Sequence, residues 1–461
     1  MNHQQTSCPP WFARGLTAGR LSLVTHATPM TLNANPDRQP APPGSRFARL
    51  AWILLDWAGS AFSTVLITLV VAYVEKVVFA AGGWGMPAGV IWAWTLAAAM
   101  LVSAMLTPWA AAWADRRHAH QRALVASTLA GAGGLVALAA VPSSAGPAVV
   151  MAIIAAAVGF DLAQVFTGSL LPRIAGDRDA DRLSAYGFAA GYAGGAIALV
   201  IATTIVTAHE RLGLTAAGGL RLAFVVTAAW WLAFSLPALF ARFGDGEQER
   251  HAATSGRELL DFARSLARPA GTDVGPRLGA VLLGSMLALG AVQTAIAQFS
   301  SLALERFELD GPALVRLVLL VQAVALPGAL AMGWLSARWG RRAAAALCLG
   351  GWAAVLALAW FIQTPGQLHA LAVLLALVLG GIQSVIRASV AALAPEGREG
   401  VTFGVMQVGT KLAGFAASLA FGAVQLTTGD PRAGLIALLV QIAAGAWFLL
   451  SPLRRMKADR P

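Results

Sequence analysis

The chain has 461 residues, of which 57% are hydrophobic and 12% charged. That is half the charged fraction of an ordinary soluble domain (roughly 25%), which excludes a water-soluble globular protein and leaves a membrane protein. The formal charge of +11 would suggest nucleic acid in a soluble domain; in so apolar a chain it reads as a positive-inside bias, and no nucleic-acid partner is expected.

Residues 1–46 carry Pro, Ser and Arg without periodicity and lack the apolar core of a secretory signal, so they read as a disordered cytoplasmic tail. A spanning helix needs ~20 mostly apolar residues, because lipid cannot satisfy an open backbone. Such runs fall at about 50–74, 88–113, 122–141, 147–172, 184–208, 220–241, 277–304, 312–337, 342–362, 368–392, 401–427 and 432–453. The breaks between them hold turn residues, for example Gly82-Gly83, Pro142-Ser143-Ser144, Asp310-Gly311-Pro312 and Gly429-Asp430-Pro431. The expected fold is therefore an all-α membrane protein of twelve transmembrane helices.

The longest polar stretch, 242–276, follows the sixth span. It divides the chain into a six-helix bundle over 47–241, a cytoplasmic linker, a second six-helix bundle over 277–453 and a short cytoplasmic tail over 454–461. Within the linker, residues 257–267 place Leu259, Phe262 and Leu266 on one helical face. This suits either a helix on the membrane surface or a partly helical solvated segment. With both termini placed in the cytoplasm, 25 of the 33 Lys and Arg residues fall in inner segments, 6 in outer ones and 2 inside spans, and this asymmetry sets the orientation. The halves echo each other: Asp115-Arg116-Arg117 follows the second span, and Arg338-Trp339-Gly340-Arg341-Arg342 follows the eighth. Two packed repeats around a central cavity are a common transporter plan.

Several motifs carry a family resemblance. Residues 333–342 (GWLSARWGRR) are similar to the basic loop of major facilitator proteins, G-x-L-A-D-R-x-G-R-R. Residues 56–62 (DWAGSAF) resemble D-W-A-N-S-A-F of the vacuole effluxer-like branch of that superfamily. Residues 165–175 (VFTGSLLPRIA), 183–195 (LSAYGFAAGYAGG) and 380–395 (GGIQSVIRASVAALAP) are similar to further motifs of the branch, and Phe403-Gly404 and Lys411 follow in the matching places. The resemblance implies the major facilitator fold, two six-helix bundles with spans one, four, seven and ten lining the cavity. It also implies a permease; fungal vacuolar relatives are associated with amino-acid export.

Ionisable groups inside spans are expensive and mark candidate sites. They are Asp56, Asp161, Arg387 and Lys411. Asp161, in mid-span with Gln164 one turn on, is the candidate for proton exchange, with a structural hydrogen bond as the alternative. Asp56 is expected to pair with Arg387 or Lys411 across the halves as an inner gate, or else to form a fixed brace within one half. Gln293 and Gln383 are polar cavity candidates. Asp115, Arg116, Arg338 and Arg341 are candidates for a conformational gate; by resemblance their loops steady the cytoplasmic side. Gly187, Gly191, Gly194 and Gly195 share a helix face and suit close packing. The expected activity is secondary transport of a small polar metabolite, amino acids among them, with proton coupling and alternating access. The protein is read as a monomer contacting lipid in a bacterial inner membrane, with no metal and no cofactor. The alternatives are a membrane enzyme acting on a lipid-linked substrate and a transporter-derived sensor.

Overall fold

The computed structural model describes residues 45–117, 119–175, 177–243, 274–393 and 399–455. Of the expected tail over 1–46, residues 1–44 lie outside the described residues, as does the amphipathic linker segment at 257–267, while Ser45 and Arg46 already begin α1 rather than belonging to a tail. Twelve long helices account for nearly all of the described chain: α1 (Arg46–Val78), α2 (Ala88–Arg116), α3 (His120–Ala140), α4 (Gly146–Ile174), α5 (Asp177–Thr207), α6 (Ala216–Phe240), α7 (Val274–Arg306), α8 (Gly311–Trp339), α9 (Arg341–Phe361), α10 (Pro365–Leu393), α11 (Glu399–Thr428) and α12 (Gly434–Arg455). Among the described residues, eleven are long and apolar enough to cross a membrane. The twelfth, α11, is 30 residues long and carries Lys411.

Helix ends follow local chemistry. Ser45 caps α1 by accepting from the Ala48 N–H at 3.1 Å, and Asp310 caps α8 by accepting from the Ala313 N–H at 2.7 Å. Gly340, at φ 87°, is the single residue between α8 and α9, in a conformation that a side chain rarely adopts. The sequence pattern ended α1 at about residue 74, but the helix runs to Val78 through two π segments, Leu66–Val70 and Val74–Val78. It therefore draws Glu75 and Lys76 into the helical span, although the charge pattern had placed Lys76 in an outer loop.

The packing repeats between the halves. α1 packs on α5 and α3 on α4; likewise α7 packs on α11 and α9 near α10. The halves meet through α2 with α11 and α5 with α8, two pairs that exchange under the same repeat. This is the major facilitator fold, two six-helix bundles side by side. Phe62, Phe160 and Trp231 centre the first bundle, with ring centroids 5.2–6.0 Å apart. Met151, Ile197 and Val440 lie on the outside, exposed as large apolar side chains can be when the solvent is lipid.

The four glycines of α5 lie against α1. A side-chain carbon added at Gly194 would stand 2.6 Å from the Trp57 carbonyl oxygen, and one at Gly191 would stand 2.6 Å from Ser60 Oγ. Gly187 lies against Asp56 and Trp52. Gly195 abuts both Thr64 of α1 and Gln322 of α8, so this end of the seam reaches the other half.

Candidate functional site

A polar cluster lies near the middle of four helices. Lys411 Nζ on α11 donates to Asp161 Oδ1 on α4 at 2.6 Å, and also to Gln293 Oε1 on α7 at 3.3 Å. The other carboxylate oxygen of Asp161 accepts from Ser103 Oγ on α2 at 2.8 Å. The cluster thus joins two helices of each half. The Asp161 and Lys411 side chains are only 13% and 15% exposed, so each is compensated mainly by the other. Removing one member of such a pair leaves a buried charge without its counter-ion, at a cost of about 3–5 kcal/mol.

The helices dictate this pairing. α11 packs against α2 and α7, which brings Lys411 to the carboxylate that α2 also holds, on α4. α1 packs against α5 instead, so Asp56 faces Gly187. The expected pairing of Lys411 with Asp56 is therefore corrected: its counter-ion is Asp161. Arg387 bridges α10 to α5, donating to Ser184 Oγ and lying 5.0 Å over the Phe188 ring. Its charge also acts on the Asp56 carboxylate, an interaction between the halves.

One further expectation falls differently. Gln164 makes no hydrogen bond to Asp161 among the described residues, although residues three apart lie on the same side of a helix; it lines a small void inside the first half with Gly59, Leu55, Phe160 and Trp231. Gln383 is half-buried, one turn before Arg387. At the basic loops, the side chains of Asp115 and Arg116 lie outside the described set. Arg338 and Arg341 are exposed, and the Arg338 guanidinium lies 5.6 Å from the Trp334 ring centroid.

Sequence reasoning missed Ser103, and it missed that a second group of polar residues ties the halves together on the side of the bundle away from Arg46 and Arg455. There the halves are tied by Gln322 Nε2 donating to Thr64 Oγ1 at 2.9 Å, Trp92 Nε1 donating to the Ala297 carbonyl at 3.2 Å and Lys76 Nζ donating to the Leu304 carbonyl at 3.2 Å. Glu305 accepts from the Gly89 N–H at 2.9 Å and from Gln425 Nε2 at 2.8 Å. A lone serine in an apolar helix gives no signal. For Glu75 and Lys76 there was one: the apolar run resumes after them at Val77-Val78-Phe79.

Similarities to known proteins agree with this geometry. Residues 88–460 match the family described as vacuole effluxer Atg22 like. An uncharacterized MFS-type transporter of Bacillus subtilis (strain 168), YxiO, is 24% identical over 401 residues, covering 86% of this chain and 92% of that protein. The inward-open xylose transporter XylE from E. coli superposes with a TM-score of 0.60 at 16% identity, covering 90% of this chain and 95% of the other. The human organic anion transporter MFSD10 gives 0.59 at 15% identity, covering 88% and 100%. These similar proteins are described as transporters. The structural likenesses support the fold, and the family match covers most of the chain: this protein belongs to the vacuole effluxer Atg22-like family, within the major facilitator fold.

Proposed function

We propose that the chain is a secondary transporter that carries a small polar metabolite across a bacterial inner membrane by alternating access, coupled to protons, with both termini cytoplasmic and a single chain as the working unit. The observation that carries this reading is the Asp161–Lys411 ion pair, mid-membrane and shared between the two halves. A pair so placed feels any change in how the halves sit. When they part, the Asp161 carboxylate loses its ammonium partner and must find another positive charge. A proton serves, and so does the ammonium of a zwitterionic substrate; Lys411 is then free for the substrate's carboxylate. Amino acids therefore fit the pair chemically. The 25-to-6 distribution of basic residues supports the orientation.

In this reading Gln293 and Gln383 contribute polar contacts along the pathway. Asp56 and Arg387 change their interaction as α1 and α10 separate, and Asp115, Arg116, Arg338 and Arg341 steady the cytoplasmic loops. The test is uptake into proteoliposomes from a panel of radiolabelled amino acids and other polar metabolites, with and without an imposed pH gradient. Concentrative uptake of a panel member that needs the gradient is the expected result; equilibration of every compound at the rate of empty liposomes contradicts it.

A further inference from the structure

At the end of the bundle opposite Arg46 and Arg455, the last turns of α1, the loop over 79–87 and the last turn of α7 bound an open cavity of about 660 Å³. Its charged lining side chains are Glu75, Lys76 and Glu305. They differ in how they are satisfied. Glu305 accepts from the first turn of α2 and from Gln425, and Lys76 donates to the Leu304 carbonyl. Glu75 is 4% exposed, and neither of its oxygens accepts a well-formed hydrogen bond. The Ser301 hydroxyl, the Lys76 ammonium and the Glu305 carboxylate are the polar groups around it. A carboxylate withdrawn from water with only the Ser301 hydroxyl and the Lys76 ammonium nearby is costly, and a proton, an ion or a ligand relieves it. It is held by the π segment Val74–Val78, a helix form that occurs mostly as single turns at functional sites.

We propose that this cavity binds one monovalent cation, either an inorganic ion or the ammonium group of an organic molecule, with the Glu75 carboxylate as its principal ligand and Glu305 as the second. The charge balance sets the valence. With both carboxylates ionised around the bound ion, two carboxylates and one ammonium leave one net negative charge, which a monocation neutralises and a divalent ion overshoots. The volume lies within the range of small-ligand sites, roughly 300–1,000 Å³. The lining residues come from both halves, so a cation held here stabilises closure at this end. The inference is independent of the reading given to Asp161 and Lys411.

The experiment is thermal unfolding of the purified full-length protein at fixed pH, followed by tryptophan fluorescence. Sodium, potassium and methylammonium chlorides are titrated in turn, with N-methylglucamine chloride holding the ionic strength constant. At least one cation should raise Tm and saturate. Sodium or potassium acting alone identifies an inorganic ligand, and methylammonium acting alone an organic ammonium. Glu75→Gln should weaken the effect by about tenfold or more, since it removes a charged partner. Glu308→Gln, exposed in the α7–α8 connection, should leave it unchanged. Lys76→Gln should tighten binding severalfold because it removes a competing positive charge, a gain that no purely structural role for Lys76 produces. Absence of any cation response in the folded wild-type protein, an equal response in Glu75→Gln, or weaker binding in Lys76→Gln would overturn the proposal.

Discussion

Lys411 Nζ and Asp161 Oδ1 stand 2.6 Å apart although they belong to opposite halves of the molecule, and the remaining carboxylate oxygen of Asp161 is held by Ser103. Neither charge has water enough to stand alone, so each half contains a residue whose stability depends on the other half. This dependence separates the pair from an ordinary structural salt bridge within one bundle. It also makes the contact between the halves a place where protonation or ligand binding shifts an equilibrium.

The pair's energetic coupling is measurable without a substrate. Asp161→Asn should destabilise the protein by about 3–5 kcal/mol, because Lys411 is left buried and uncompensated. Lys411→Met should cost a similar amount. The double variant should be markedly more stable than the sum of the two predicts, as groups in direct contact are non-additive. Thermal unfolding of the four proteins in one detergent checks this; additive losses would show that the two charges do not compensate each other.

A glycine of the α1–α5 seam contrasts with one on the open face of α3. An added Cβ at Gly194 would press on the Trp57 carbonyl oxygen, whereas one at Gly133 would meet nothing within 4 Å. Gly194→Ala should therefore cost about 1–3 kcal/mol through overpacking. Gly133→Ala should be neutral or stabilise by up to about 1 kcal/mol, by restricting the unfolded chain. Comparing Tm and the yield of monodisperse protein for the two variants distinguishes them.

Arg387 joins α10 to α5 and its charge reaches Asp56 on α1. Asp56→Ala and Arg387→Ala should each reduce transport while leaving the amount of protein in the membrane unchanged. Arg387→Lys should not restore full activity, because a lysine lacks the planar group that stacks on Phe188. Initial uptake rates normalised to immunoblot signal provide the measurement; normal rates in both alanine variants would remove the two residues from the mechanism.

A loop brace gives a pH signature. Arg432 donates to the Asp430 carboxylate at 2.9 Å and lies 5.5 Å over the Trp360 ring. The side-chain hydrogen bond from Arg432 holds the Asp430 carboxyl below the ordinary carboxylate range. The folded value is thus depressed relative to the unfolded one. The stabilisation is present above the unfolded carboxylate value and is lost as pH falls through the folded value. The pair is partly exposed, so Asp430→Asn should cost no more than about 1 kcal/mol at neutral pH and nothing in strong acid. Tm measured against pH for both proteins checks the convergence.

Much of the fold was legible in the sequence because lipid imposes a simple rule: a spanning segment must be long, apolar and helical. That rule placed the ends of α4, α8, α9 and α10 within a few residues. It failed at the end of α1, where Glu75 and Lys76 interrupt the apolar run and tertiary contacts to Leu304 on α7 keep the helix going. The membrane charges Asp56, Asp161, Arg387 and Lys411 were equally plain, since few such residues occur inside spans. Their partners were not, because pairing depends on which helices lie side by side. Asp161 and Lys411 are separated by 250 residues, and only the packing of α11 between α2 and α7 brings them together. Gln164 shows the same limit at short range: it shares a side of α4 with Asp161, yet packing turns it to the void beside Gly59 and Phe160 rather than into the ion pair.

The most direct test of the central claim compares wild-type protein with Asp161→Asn in proteoliposomes, using a substrate taken from the metabolite panel. The wild-type protein should concentrate that substrate when a pH gradient is imposed. The variant, confirmed as folded and correctly inserted, should exchange it without concentrating it, whatever the gradient. Gradient-driven accumulation by Asp161→Asn at the wild-type level would contradict the account.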